Sequence, residues 1–395
     1  MYNESGEPAP MRGSVPSSVE RRVLCILAAL LLAMHPVFAR PAREHERALI
    51  VSLPGIGARS LVLEPAVLLA PEASFTLTDV HGSMVATIPE PVSTWRGHVR
   101  GDEASIVRLT LAPGMMRGYV TIGAQTFVLG SKGWMAAKRA PVDGAVVDRV
   151  VPPGAEGDGP LPSQQVGAGV LNCALMPCAQ LTAQVVLDAD VFFYERAPST
   201  CFARQLAALN EVQGIFEQRA VDVRFQVTQQ NCRTGADLGG EGTDVAIYHD
   251  AFKRWWDGQG SDRSLVHLFV GYDFAGRTLG RTYTPAVCGR IQPDPLVKGP
   301  PEQRCPFGYS LSQAVPDGDG AFTASVFHTT KLLANIWGYA FDGRVREAEG
   351  CGPERTGTIL CTPIQWNGPN IFSAANEQRI RAHAEEKLGY LARVP

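Results

Sequence analysis

The placement of the cysteines constrains this chain most. The sequence has nine, and after Cys25 the remaining eight (Cys173, Cys178, Cys201, Cys232, Cys288, Cys305, Cys351 and Cys361) all follow position 170, while residues 46–138 have none. At 395 residues the chain is long enough for two domains. The asymmetry divides it into a cysteine-free N-terminal part and a cross-linked C-terminal part. An even number of cysteines fits disulfides formed in an oxidising compartment. A zinc–thiolate site is the alternative, but Cys173 and Cys178 are followed by no second close pair with metal-ligand spacing. Eight cysteines allow 105 pairings, so a bond between neighbours such as Cys201 and Cys232 is one choice among many.

The N-terminus agrees with export. Arg21 and Arg22 precede an apolar run at 23–34 and then Val37-Phe38-Ala39, the pattern of a secretory signal peptide cleaved after Ala39. Met11 offers an alternative start with a shorter polar leader. The run of about 12 apolar residues falls short of the roughly 20 that span a bilayer, and no later segment is long and apolar enough, so no transmembrane segment is expected once the signal is removed. The product is then secreted or periplasmic. A formal net charge of -3 and the lack of any lysine- and arginine-rich run argue against nucleic acid as a partner.

Past the signal (1–39), residues 40–140 alternate short apolar runs (48–53, 60–69, 105–111, 118–128) with glycine, proline and aspartate turns, the pattern of a small β-rich domain. Residues 141–170 are rich in proline, glycine and small residues and read as a linker. Lys138-Arg139 just before it is a dibasic pair of the kind processing enzymes cut, although such pairs arise often by chance. From 171 to 395 the pattern changes. Strands are expected at 181–187, 221–227 and 265–270, and helices at 202–219, 243–256, 321–340 and 374–391. In the first helix Leu206, Leu209, Val212 and Phe216 recur every three or four residues, so one face is expected to be buried. Alternation of this kind implies an α/β sandwich with a mixed sheet.

Three stretches carry a family resemblance. The first is Val266-His267-Leu268-Phe269-Val270-Gly271-Tyr272-Asp273-Phe274-Ala275-Gly276-Arg277-Thr278-Leu279-Gly280, with Thr282-Tyr283 and Val287-Cys288 after it. The second is Lys331-Leu332-Leu333-Ala334-Asn335-Ile336-Trp337-Gly338-Tyr339-Ala340-Phe341-Asp342. The third is Gly357-Thr358-Ile359-Leu360, then Asn370-Ile371-Phe372-Ser373. In this order they resemble the adamalysin or reprolysin branch of the metzincin zinc proteases: third strand, loop and substrate-facing edge strand; the zinc-binding helix; the Met-turn and the start of the last helix. Upstream, Trp95-Arg96-Gly97-His98-Val99-Arg100-Gly101 with Ser105, Gly114 and Gly118 looks like the β-rich propeptide that precedes such domains. The resemblance implies an α/β (α+β) metzincin-like catalytic-domain fold with a mixed sheet, preceded by a small all-β propeptide-like domain.

The most specific residues of the motif are missing. The family carries H-E-x-x-H-x-x-G-x-x-H-D, in which two histidines at i and i+4 share a helix face and converge on zinc, and the glutamate is the general base. Here the corresponding residues are Lys331, Leu332, Asn335 and Phe341, with only Gly338 and Asp342 retained. A lysine ammonium has no lone pair, an asparagine oxygen is a weak zinc ligand, phenylalanine cannot ligate and leucine cannot take a proton from water. Zinc is therefore expected to be absent, and no other cofactor is indicated. The N-terminal part has no cysteine that could block a metal. Lys331 and Asn335 share a helix face, so their donors are candidates to fill the former metal position, with Phe341 sealing it.

These substitutions predict a pseudoprotease that binds a peptide or protein in the former cleft, by β-augmentation on the strand Arg277, Thr278, Leu279, Gly280, Arg281 and Thr282. The alternative is an active zinc endopeptidase with a displaced metal site drawn from His328, His267 and His249. A third reading is an envelope-associated structural module. His267, alternating with apolar neighbours, reads as a satisfied sheet histidine, and Trp255-Trp256 reads as core ahead of a binding surface. No G-x-S-x-G elbow, P-loop or dinucleotide fingerprint is present. Partner identity and oligomeric state are not encoded in any motif.

Overall fold

A computed structural model describes residues 47–123, 125–130, 133–136, 146–150, 181–217, 223–235, 238, 244–259, 265–271, 274, 278–283, 308–314, 329–330, 333, 377, 380 and 392–393. All lie in one compact unit, Glu46–Pro395. The fold is mixed α/β: an antiparallel half-barrel, sheet A, and a mixed, mostly parallel sheet B with few helices.

Sheet A contains β1 (Arg47–Leu53), β2 (Gly57–Pro65), β5 (Ser93–Val99), β6 (Asp102–Ala112), β7 (Met115–Ile122), β8 (Gln125–Gly130) and β9 (Gly133–Ala136), paired in that order. The alternation read from the sequence turns one set of side chains inward. Val51, Leu53, Leu61, Leu63, Trp95, Val99, Val107, Leu109, Val120, Phe127 and Leu129 form a core of their own. Ser105 braces the β5–β6 turn, accepting from the Val99 backbone N–H at 2.7 Å.

The order skips β3 (Leu69–Thr78) and β4 (Met84–Ala86), which leave the half-barrel and complete sheet B. Sheet B runs β10-β14-β15-β13-β11-β12-β3-β4, with β10 (Val146–Val150), β11 (Leu181–Ala189), β12 (Val223–Arg233), β13 (Leu265–Val270), β14 (Thr278–Tyr283) and β15 (Tyr309–Gln313). β3, β12, β11, β13 and β15 are parallel. β14 runs against β15, and β16 (Ala392–Arg393) pairs antiparallel with the start of β11. Parallel strands buried on both faces need apolar residues throughout, and Leu265–Val270 is buried at every position. Three strands that precede residue 151 thus lie in sheet B, and one of them, β10, comes from the stretch read as a linker.

Three α-helices are described from end to end: α1 (Val191–Arg196), α2 (Cys201–Phe216) and α3 (Val245–Gly258). Asp190 caps α1 through Phe193 N, and Asp244 caps α3 through Ala246 N and Ile247 N. Each such cap stabilises a helix by about 1 kcal/mol. None of these helices is long and apolar enough to cross a membrane. The expected helix at 202–219 is α2, but its burial exceeds the expectation: every residue except Phe202 is buried. Leu206, Leu209, Val212 and Phe216 join the core of sheet B, while Asn210, Glu211 and Gly214 on the other side meet β5, β6 and β7 of sheet A. The side that reads as solvent-facing meets a polar protein surface instead. Of the expected C-terminal helices, Thr329, Thr330 and Leu333 of the first and Glu377 and Ile380 of the second are described, all helical.

Candidate functional site

In open α/β sheets, ligands settle at the carboxyl ends of the strands where the strand order reverses. Here the chain passes from β11 to β12 on one side and then to β13 on the other, so the reversal lies beside β11. Asp190, which follows β11, fills it. Its Oδ1 accepts from Phe193 N at 2.7 Å and Gly271 N at 2.8 Å, and the Tyr248 hydroxyl donates to its Oδ2 at 3.2 Å. A Cβ on Gly271 would fall 2.2 Å from Phe193 N, so α1 starts directly against the end of β13. Arg196 donates to Gly271 O at 2.6 Å and Ala314 O at 2.9 Å, tying the ends of β13 and β15 together. Burial pushes the Asp190 carboxyl up to about 6 in spite of these hydrogen bonds.

A second buried cluster lies on the face covered by α3. Asp188 pairs with Arg233 at 2.6 Å and accepts from Trp256 Nε1 at 2.9 Å and Asn231 Nδ2 at 2.8 Å. Asn231 Oδ1 accepts from the hydroxyls of Thr76 and Thr78, both at 2.9 Å. The Arg233 guanidinium lies over the Trp255 ring at 4.1 Å. Trp256 is thus core and Trp255 partly buried beside it. The Asp188 carboxylate is thus answered by a cation and two further donors, as a buried charge requires.

The two described histidines of the displaced-metal alternative lie on opposite faces of sheet B. His267 is in register with Leu187, and the next residue, Asp188, is the one that meets α3. Alternation therefore turns His267 away from α3, whereas His249 sits on α3 with Nε2 3.2 Å from Tyr309 O. His267 Nδ1 lies 2.7 Å from Ser310 Oγ and Nε2 2.9 Å from Ser312 Oγ, which itself bonds Thr329 Oγ1 at 3.0 Å. Burial lowers His267 to about 3 and His249 to about 4, so both are neutral. The Ser–His contacts have the residue types of nucleophile and base, but His267, Ser310, Ser312 and Thr329 are all fully buried. They pin β13 and β15 to the helical residues at 329–330. No group of three metal-ligating residues comes together among the described residues, and His328 lies outside them.

β14 contains Thr278, Leu279, Gly280, Arg281 and Thr282 of the expected peptide-binding strand; Arg277 lies outside the described residues. Its inner side pairs antiparallel with β15 through Gly280, Arg281 and Thr282. The outer side is not open, as expected of an exposed edge, because β10 pairs with it in parallel, Val146 with Thr278 and Asp148–Val150 with Arg281–Tyr283. The degenerate motif positions Lys331, Leu332, Asn335, Phe341, Gly338 and Asp342 lie outside the described residues, as do Cys173, Cys178, Cys288, Cys305, Cys351 and Cys361. Cys201 and Cys232 form a disulfide that ties the start of α2 to the end of β12.

Sequence reasoning passed over Asp188, Asp190, Asn231 and Arg233. Their signal was present: two aspartates close the apolar run at 181–189, and an arginine follows Cys232. No protein-family model matches this sequence, and no curated protein matches it.

Proposed function

We propose that the protein is an exported, non-catalytic relative of the metzincin proteases that binds an extended peptide or protein segment along β14. One observation carries the binding half of this reading: β14 already takes an added strand on its outer side, since β10 pairs there from outside the contiguous set β11–β15. Extended ligands add to sheets through the same backbone donors and acceptors, so a ligand binds by replacing β10. The scaffold half is supported by chain order: β14 follows β13 and is the one strand of β11–β15 that runs against its neighbour. The family resemblance expects its edge strand there. The non-catalytic half rests on Lys331, Leu332, Asn335 and Phe341, and the export half on the signal-like N-terminus and the Cys201–Cys232 bond.

The test has two arms. An array of extended peptides is scanned against the intact protein, a form with residues 146–150 replaced by glycine and serine, and that form carrying Gly280→Pro. The expected result is binding that rises when β10 is removed and disappears with the proline, which cannot donate to a ladder. Binding indifferent to both changes would overturn the β14 reading. In the second arm, elemental analysis of the oxidised protein is expected to find no zinc, with zinc gained by the Lys331→His, Leu332→Glu, Asn335→His, Phe341→His variant. One zinc per natural chain would overturn the non-catalytic reading.

A further inference from the structure

We infer that residues 46–136 are a permanent subunit of the folded protein, held by the surface they share with the C-terminal part and not by the covalent link. A cut between β9 and β10 then yields a two-chain protein, and no N-terminal piece is released.

Two surfaces carry this, and both lie outside the β14 site. The first is the side of β12. β3 pairs with it in parallel, Leu69 opposite Val227 and then Ser74 opposite Gln229 through Thr78 opposite Arg233. Backbone bonds at both ends, Val227 N to Leu68 O at 2.7 Å and Thr234 N to Thr78 O at 2.8 Å, extend the seam. Leu68 belongs to the core of sheet B, with Leu69, Leu77 and Val92 packed against it, and Phe75 meets Phe202 edge-on at 5.7 Å. Without β3, the long strand Val223–Arg233 would present an unpaired row of donors and acceptors, a template for aggregation. The N-terminal part therefore completes this sheet.

The second surface is the outer side of α2. Asn210 Nδ2 donates to Leu109 O at 2.9 Å and Thr110 Oγ1 at 3.1 Å, and the Tyr119 hydroxyl donates to Glu211 O at 3.3 Å. Arg108 of β6 pairs with Glu217 at the end of α2, with Arg96 3.7 Å from the same carboxylate. Gly214 lets the two surfaces approach: a Cβ there would fall 2.4 Å from the Tyr119 hydroxyl and 2.9 Å from Arg108 Cγ. Arg108, Thr110 and Asn210 are at most 3% exposed, a burial greater than that expected of a loosely tethered domain.

Residues 40–139 hold no cysteine, so in the protein without its signal no disulfide can join the pieces, and the experiment reads the surface alone. A protease site is inserted after Arg139 in the full chain, and the protein is cut to completion as judged on a denaturing gel. Size-exclusion chromatography of the native sample is expected to return both pieces in one peak at the volume of the uncut chain, in equal amounts. The Gly214→Leu variant, and separately Thr76→Ala with Thr78→Ala, should shed the N-terminal piece after the same cut. Separation of the natural pieces, with the C-terminal one soluble and monodisperse, would overturn the inference. If the folded chain resists the protease, residues 40–139 and 140–395 are produced together as two chains with a tag on the first. Stoichiometric capture of the second supports the inference, and capture of the tagged chain alone sinks it.

Discussion

Asp188 and Arg233 meet 2.6 Å apart inside sheet B, with side chains 0% and 1% exposed. A pair buried this deeply is costly to break from one side, because the remaining charge is left without a counter-ion. Asp188→Ala should lower unfolding stability by about 3–5 kcal/mol. A double Asp188→Leu, Arg233→Met variant should lose less than the single one. Urea unfolding of the three proteins measures this, and a double variant worse than Asp188→Ala would show that the attraction itself dominates.

Asp190 makes stability depend on pH in one direction. Its folded value, about 6, lies above the ordinary 3.8, so the folded state holds the proton more tightly than the unfolded chain. That contribution is full below about pH 4 and is lost as pH rises through 6, worth up to ~3 kcal/mol. Asp190→Asn keeps an oxygen for Phe193 N and Gly271 N and never ionises. Its stability relative to the natural protein should improve between pH 4 and pH 7; a flat difference would contradict the assignment.

His267 acts in the opposite direction. Its folded value is lowered to about 3 from 6.5, so its contribution is full above the unfolded value and is lost as pH falls below it toward 3. Acidification from pH 7 to pH 4.5 should cost a few kcal/mol through this group. His267→Gln should reduce that slope without abolishing it, since His249, lowered to about 4, has the same sign. Equal slopes in both proteins would remove His267 from the account.

The Cys201–Cys232 bond spans 31 residues of sequence. Replacing both cysteines with alanine should cost about 2–4 kcal/mol, chiefly by restoring freedom to the unfolded chain. Both cysteines are buried, at 1% and 0% exposure, so mild reductant should open the bond only when the protein unfolds. Thiol labelling with and without urea distinguishes the two.

Much of this fold could be read locally. The strand at 265–270 and the helix from 202 announce themselves by period, because each buries a face whose spacing is fixed by backbone geometry. Membership in a sheet does not. β3 carries the same alternation as β2 and β5, and nothing in Leu69–Thr78 says that its partner is β12. The polar residues of α2 differ from a solvent-facing pattern for a related reason: Asn210 meets a carbonyl and a hydroxyl of β6, Tyr119 of β7 reaches the Glu211 backbone carbonyl, and a helix pattern does not distinguish that surface from water. β10, with its proline- and glycine-rich surroundings, reads as a linker until its pairing with β14 is seen. Asp188 and Arg233 carry opposite charges in separate strands, 45 residues apart, and only the register of β11 and β12 brings them together.

The placement of β3 also orders events in time. Its Thr78 waits 153 residues for Asn231, whereas each strand of the half-barrel from β5 onward needs only its immediate successor. As the chain emerges, the meander can close early while the β3–β4 hairpin stays without its sheet until β12 has been made. Long-range pairing of this kind slows folding, because the loop must be closed before the contact repays it. The seating of a hairpin made near the start thus waits on strands made in the second half of the chain.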